Sequence, residues 1–507
     1  MDAAKRVAFN TGITYIRMLL TVGISLFSTR VVLNALGSED YGIFNLIAGL
    51  IAMLSFLNVA MTTSTQRYLS YHQGKNDFEF QRNVFKNSFF IHIVIGLIVV
   101  CTLEFLGLFL FSGFLNIPSN KIQVAKFLFH IMSFTVLFTI LSVPMTALLN
   151  SHENLIVIAI VGLFEVLLKF CIALLLLVVA NNKLRVYGML TAGISLCIFT
   201  TYFIYCKSKY KEFTFDNLLN YDKKLVKELT SFAGWNLFGT LCALGRTEGL
   251  AILLNIFFGA VINASYGIAN QVASQVNFFS VTLLQAINPQ IMKAEGSGDR
   301  AKMLRLCMTA SKFSFYLLAL FAVPFIFEMK GILVFWLKGV PVYTDIFCEL
   351  ILIALLCNQL TIGIQSGLQA IGKIKTYQIV VGGLIFLNVP LSYFFLKIGC
   401  KAYSVLISYI IIELSACMFR LFFLKKIGNL SILIFVKNVF LREIIPLITI
   451  IVCSFFFSQF FHFRFSFIVN FLISSTVFFT AIYLVGLNID EKRIIESFIM
   501  KLKKNNY

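Results

Sequence analysis

The sequence is divided into fourteen apolar runs separated by short polar loops, at 8–34, 41–65, 85–113, 123–149, 154–180, 186–206, 229–258, 262–288, 308–328, 344–370, 376–397, 402–424, 443–462 and 465–487. An α-helix needs about 20 apolar residues to cross the hydrocarbon of a bilayer. A helix also satisfies its own backbone hydrogen bonds there, which lone strands and loops cannot. Of 507 residues, 59% are hydrophobic and 13% charged, and 56 are Phe. A soluble chain carries about 25% charged residues, so a water-soluble enzyme is excluded. The expected fold class is an all-α polytopic membrane protein with about 14 transmembrane helices.

The net charge of +19 raises nucleic acid as a partner, but the basic residues are scattered over short loops. That scatter is a topology signal rather than a phosphate-binding groove, and no nucleic-acid partner is expected. With an even number of spans both termini share one side. The loops of that side hold 29 of the 42 Lys and Arg residues, the opposite loops nine, and four lie within spans. This bias places both termini in the cytoplasm.

The two halves look alike. Span 2 opens Tyr41-Gly42-Ile43-Phe44-Asn45 and span 8 opens Tyr266-Gly267-Ile268-Ala269-Asn270. Thr65-Gln66 with Gly74 and Asp77 is echoed by Pro289-Gln290 with Gly298 and Asp299, and Asn10 by Asn236. Six spans per copy is an even number, so the copies share one orientation about an axis along the membrane normal, with a cleft expected between them. The expected organisation is an N-terminal six-helix lobe (1–207), a cytoplasmic linker (208–228), a C-terminal six-helix lobe (229–427), and two further helices with a basic tail (428–507).

A charge near the bilayer centre costs about 2.5–3.5 kcal/mol by insertion scales, so each one inside a span carries information. Arg17 lies roughly 13 Å into span 1 at 1.5 Å per residue, on a stripe of Asn10, Thr14, Thr21, Ser25 and Ser28 that must face protein or water. It is read either as a structural arginine bonded to a neighbouring helix or as a cavity cation for an anionic substrate. Arg30 is nearer the outer end, where snorkelling to the interface is the alternative to binding. Arg246 in span 7 shares a face with Asn236 and Thr240. Glu248, two residues on, points elsewhere and is expected to be a titratable group or the partner of a base on the next helix. Glu165 and Lys169 form an i,i+4 pair in the favourable order, either mutually neutralising or split between a proton and a phosphate. Glu413 has no partner within span 12. Span 8 is rich in amides and hydroxyls, among them Asn270 and Asn277, and suits a wet cavity.

No Walker motif, HExxH, GxGxxG fingerprint or catalytic triad spacing occurs, and the eleven cysteines form no CxxC pair. Neither a metal site nor a cofactor is expected. The outer loops are too short for the catalytic domain of a membrane polymerase or ligase, so the chain is not expected to be an enzyme.

The segments Trp235-Asn236-Leu237-Phe238-Gly239, Leu253-Leu254-Asn255-Ile256-Phe257-Phe258-Gly259, Tyr266-Gly267-Ile268-Ala269-Asn270-Gln271-Val272 and Ala286-Ile287-Asn288-Pro289-Gln290-Ile291 resemble bacterial oligosaccharide (O-antigen and polysaccharide) flippases. These belong to the superfamily that also holds the MATE drug exporters. The resemblance implies two MATE-like lobes plus two C-terminal helices, residence in the bacterial inner membrane, and alternating access. It also implies an undecaprenyl-diphosphate-linked oligosaccharide as substrate for surface polysaccharide synthesis, with polysaccharide polymerase machinery and membrane lipids as partners. Arg17, Arg246, Lys169 and Arg30 are then the expected diphosphate holders, with Asn270 and Asn277 solvating sugar. Glu165, Glu248 and Glu413 are candidates for coupling to a Na+ or H+ gradient. A cation-coupled MATE-type exporter is the alternative, and a membrane polymerase or ligase the second. Span 1 offers Arg17 and no carboxylate, which departs from the exporter pattern and favours an anionic substrate.

Overall fold

The computed structural model describes residues 3–52, 55–114, 117–215, 221–337, 339–461, 463 and 465–493. The side chain of Asn10 and the basic tail lie outside the described residues. The helices are α1 (Ala3–Ala52), α2 (Ser55–Gly74), α3 (Phe78–Phe109), α4 (Ile122–Ser151), α5 (Leu155–Val178), α6 (Lys183–Lys209), α7 (Lys223–Phe258), α8 (Ala260–Gly296), α9 (Arg300–Leu337), α10 (Thr344–Gln359), α11 (Ile362–Ile371), α12 (Lys375–Lys397), α13 (Ser404–Gly428), α14 (Ile432–Phe460) and α15 (Ser466–Gly486). No strand occurs among the described residues.

Among the described residues, eleven helices are long and apolar enough to span a membrane, or twelve if α10 and α11, bent by 45° at their junction, form one span; this does not confirm the expected fourteen. Run 41–65 is helical on both sides of residues 53 and 54, which lie outside the described residues, and run 262–288 is helical throughout α8. The amides and hydroxyls of α8 hold its apolar content down. Run 8–34 and the first part of run 41–65 share α1, which breaks at Gly37 (φ 80°, ψ 169°). That left-handed φ costs glycine nothing and a Cβ-bearing residue about 1 kcal/mol or more.

The chain divides into two compact units, residues 5–237 with Gly296–Gly298, and residues 238–295 with the chain from Asp299 onward. In the first unit α4 packs on α2, α3 and α6, and its Leu128, Phe129 and Ile140 meet Ile43, Ile47, Leu103 and Leu184 in one core. At one end of this unit the α2–α3 turn, the α4–α5 turn and the stretch after α6 are tied together. Gln73 Nε2 lies 3.1 Å from His152 Nδ1, and His152 Nε2 lies 3.1 Å from Glu212 Oε1. Burial alone would raise the Glu212 carboxyl, yet the hydrogen bond and charge of His152 bring it below its usual value. The segment expected as a polar linker is anchored here: Phe213 and Phe215 pack against Phe85 and Phe203.

The turns that open α3 and α9 share a local geometry. Asn76 (φ 56°) precedes Asp77, which caps Phe80 N–H at 3.1 Å; Gly298 (φ 80°) precedes Asp299, which caps Lys302 N–H at 2.9 Å. The local equivalence therefore sets Asn76, not Gly74, opposite Gly298.

In the second unit α9 packs on α10, α11, α14 and α15. Its Leu318, Ala322 and Met329 share a core with Phe347, Leu352 and Leu406. Two polar contacts fasten the last helices to it. Glu328, at a kink in α9, accepts from Ser466 Oγ at 2.9 Å and Asn470 Nδ2 at 3.1 Å. Lys312 Nζ lies 2.6 Å from Glu491 Oε2. Pro446 has no N–H, which frees the carbonyl of Arg442 four residues earlier, and Tyr316 Oη donates to it at 2.8 Å.

Close approach of backbones sets one sharp test. A Cβ at Gly363 would sit 2.0 Å from the Cys307 carbonyl oxygen, whereas at Gly193 nothing lies within 4 Å. Gly363→Ala should abolish monodisperse protein on size exclusion in detergent, and Gly193→Ala should leave it unchanged. A well-behaved Gly363→Ala variant would contradict the packing of α11 on α9.

Candidate functional site

The most heavily charged buried point in the second unit is Glu413, 1% exposed, on α13. It is reached by side chains from two other helices, α7 and α10, and from further along α13. Close approach of α7 to α12 begins the assembly. Gly239 faces Gln378 and Gly382, Gly245 faces Phe386, and Gly249 faces Val389. Small residues spaced in this way let helix backbones come together where larger side chains would hold them apart. Arg246 is carried within that seam and is 8% exposed.

Arg246 donates from Nη1 to Glu413 Oε1 at 2.7 Å and from Nη2 to Tyr409 Oη at 2.9 Å, with its Cζ 3.8 Å from the Tyr409 ring centroid. Glu413 Oε2 accepts from Asn358 Nδ2 at 3.0 Å, at the end of α10. Arg420, 2% exposed, lies 3.6 Å from the same Oε2 and donates to Thr361 Oγ1 at 3.3 Å. It is also hydrogen-bonded to Tyr377 of α12, and its Nε has no partner. Tyr409, Glu413 and Arg420 are spaced by four and seven, which puts them on one face of α13. The break between α10 and α11 leaves Thr361 outside both helices and within reach of that face. Two guanidiniums thus share one carboxylate, which leaves the cluster one positive charge in excess among the described residues.

This geometry corrects the picture drawn from single helices. Arg246 is not a bare cation, because it shares the Glu413 carboxylate of another helix with Arg420. Glu413 lacks a partner only within its own helix. Glu248, read either as a titratable group or as the partner of a base on the next helix, is exposed and makes no ion pair among the described residues. Asn270 donates to the Tyr266 carbonyl of its own helix at 3.1 Å, and Asn277 accepts from Gln359 Nε2 at 3.2 Å.

The first unit holds the other candidates. Arg17 is half-buried and donates from Nη1 to the Ile158 carbonyl of α5 at 3.3 Å. Its guanidinium lies over Gly162, where a Cβ would come within 3.0 Å of it. No carboxylate lies within ion-pair distance of Arg17 among the described residues. Arg30 is exposed. Lys169 and Glu165 do form their i,i+4 pair, at 2.6 Å.

Arg420 and Lys312 are additions that the sequence did not single out. Both were counted with loops because they stand near the ends of apolar runs. The seven-residue spacing from Glu413 to Arg420 was the available signal. Glu443, 2% exposed with neither carboxyl oxygen partnered, is a third addition.

No family model matches the chain, and no curated protein matches it in sequence. Its fold is that of solved MATE transporters. A MATE transporter in its bent conformation aligns at TM-score 0.72 and 14% identity, over 86% of this chain and 97% of that one. A MOP superfamily transporter from Pyrococcus furiosus, described as having a binding pocket of reverse polarity that suggests a different function, aligns at TM-score 0.70 and 13% identity, over 85% and 96%. The MATE transporter ClbM, solved with Rb+, aligns at 0.69 and 14%, over 86% and 96%. At such identities the likeness is one of fold.

The shared carboxylate makes an ordering of variants. Glu413→Gln leaves two buried guanidiniums without an anion and should cost about 3 kcal/mol or more. Arg246→Met leaves Glu413 paired with Arg420 and should cost about 1–2 kcal/mol. Unfolding midpoints in detergent measure both. An Arg246→Met protein less stable than Glu413→Gln would refute this division of the charge.

Proposed function

We propose that the chain is an alternating-access transporter of the bacterial inner membrane, with both termini cytoplasmic, that carries an undecaprenyl-diphosphate-linked oligosaccharide to the outer leaflet for surface polysaccharide assembly. The observation that carries this is Arg17. It sits on a polar face of an otherwise apolar helix and, among the described residues, is held by a backbone carbonyl alone. Lys169 and Arg246 each have a carboxylate, and Arg17 has none among the described residues. An uncompensated guanidinium at that depth is costly unless an anionic group meets it. A diphosphate matches its forked donors in pairs. Arg30 on the same helix, exposed and likewise without an acid in contact, adds charge of the same sign. The Pyrococcus furiosus transporter offers a parallel, since the reverse polarity of its binding pocket is described as suggesting a different function. Coupling to a Na+ or H+ gradient belongs to the same proposal, with Glu165 and Glu248 as the candidates. Polysaccharide polymerase machinery is the proposed downstream partner.

One observation favours a second reading, a cation-coupled MATE-type exporter. Glu248 is exposed midway along α7 and unpaired among the described residues, as a cation-binding carboxylate would be.

Proteoliposomes loaded with a fluorescent polyprenyl-diphosphate oligosaccharide separate the two. Arg17→Ala should slow its translocation at least about tenfold, the value of one charge-assisted hydrogen bond, at unchanged protein abundance. Unimpaired translocation in Arg17→Ala refutes the role of Arg17. Efflux of cationic dyes that is lost in Glu248→Gln, with no lipid translocated, selects the exporter.

A further inference from the structure

Glu413 touches two arginines, and they are held very differently. Arg420 is bound on three sides, to Glu413, Thr361 and Tyr377, from three separate elements. Arg246 contacts Glu413 and Tyr409, which are neighbours one turn apart on α13. Removing Arg246 would strip one oxygen of the carboxylate, while the other keeps Asn358 at 3.0 Å and Arg420 at 3.6 Å. Glu413 would still face a full positive charge. The excess positive charge of the cluster matches one added anionic group.

We propose that Arg246 is a transferable cation, resting on Glu413 and passing to the phosphate of the transported lipid, while Arg420 and Asn358 hold Glu413 ionised so that the transfer takes up no proton. This rests on the transport of a lipid-linked diphosphate proposed above. Arg420 is then a positioning residue that acts through Glu413. The groups facing Glu413 are Arg246 from α7, Cys357 and Asn358 from α10, Tyr377 from α12, and Tyr409, Cys417 and Arg420 from α13. The two arginines are the charged members, and no second carboxyl group stands among them in the described residues. Without Arg420, departure of Arg246 would leave a buried carboxylate with one neutral donor, and a proton from solvent would have to neutralise it.

The test uses the full chain in nanodiscs, titrated calorimetrically with a short-chain polyprenyl diphosphate at neutral pH in two buffers of different ionisation heat. Wild type should bind with no net proton uptake. Arg420→Gln should take up one proton per ligand, and its affinity should fall about tenfold per pH unit above neutrality. Arg420→Lys should restore binding without uptake. Arg246→Met should weaken binding at least about tenfold, the loss of one charge-assisted contact. Uptake of a proton by wild type, or Arg246→Met binding as tightly as wild type, overturns the inference while leaving the transport proposal standing. Arg420→Gln that folds and binds without uptake also overturns it. If wild type does not bind the diphosphate at all, the transport proposal itself fails.

Discussion

Any charge that this chain sinks to hydrocarbon depth must be met by protein, because lipid offers no hydrogen bonds and little dielectric relief. Three kinds of partner occur. Lys169 and Glu165 neutralise each other along one helix, which needs only the right spacing. Glu413 gathers Arg246, Arg420 and Asn358 from α7, α10 and α13, which needs three helices in register. Arg17 has a carbonyl of α5 and no counter-ion among the described residues. The order runs from the most self-sufficient to the least, and the last is where an external anion has most to contribute.

The glycines of α7 set the geometry of the shared carboxylate. Gly239, Gly245 and Gly249 of α7 let the side chains of Gln378, Phe386 and Val389 of α12 pack close to its backbone, and Arg246 rides between the latter two glycines. A guanidinium–carboxylate contact of 2.7 Å tolerates little displacement. A shift of about 1 Å in the helix would turn a charge-assisted hydrogen bond into a weaker ion pair. The seam is as much a part of the site as the charges are. It is also a sequence motif in plain view, since Gly245 and Gly249 are four apart.

The apolar runs were legible because the bilayer imposes one length and one composition on a spanning helix. Finer features were lost for identifiable reasons. Run 344–370 breaks at Leu360–Thr361, two residues before Gly363, and there Thr361 accepts a hydrogen bond from Arg420, a contact that sequence spacing does not reveal. Arg420 and Lys312 passed as loop charges because a basic residue near the end of a run ordinarily snorkels to the interface. Helical periodicity tells which residues share a face of one helix, but not which helix lies opposite. Glu413 and Glu248 therefore looked alike on that basis, and only packing separates a carboxylate clamped by two arginines from one that stands exposed. The local duplication of the turns at Asp77 and Asp299 was legible, although its register needed the backbone dihedrals.

The fastening of α14 and α15 to α9 carries a consequence for the evolution of such chains. Glu328 rests on Ser466 and Asn470, and Lys312 on Glu491. A shortened descendant ending before residue 432 would strand an acid and a base on the flank of α9 with nothing to answer either. The two helices could be discarded only after both positions had first turned apolar, so their retention is locked in by residues that lie more than a hundred positions upstream.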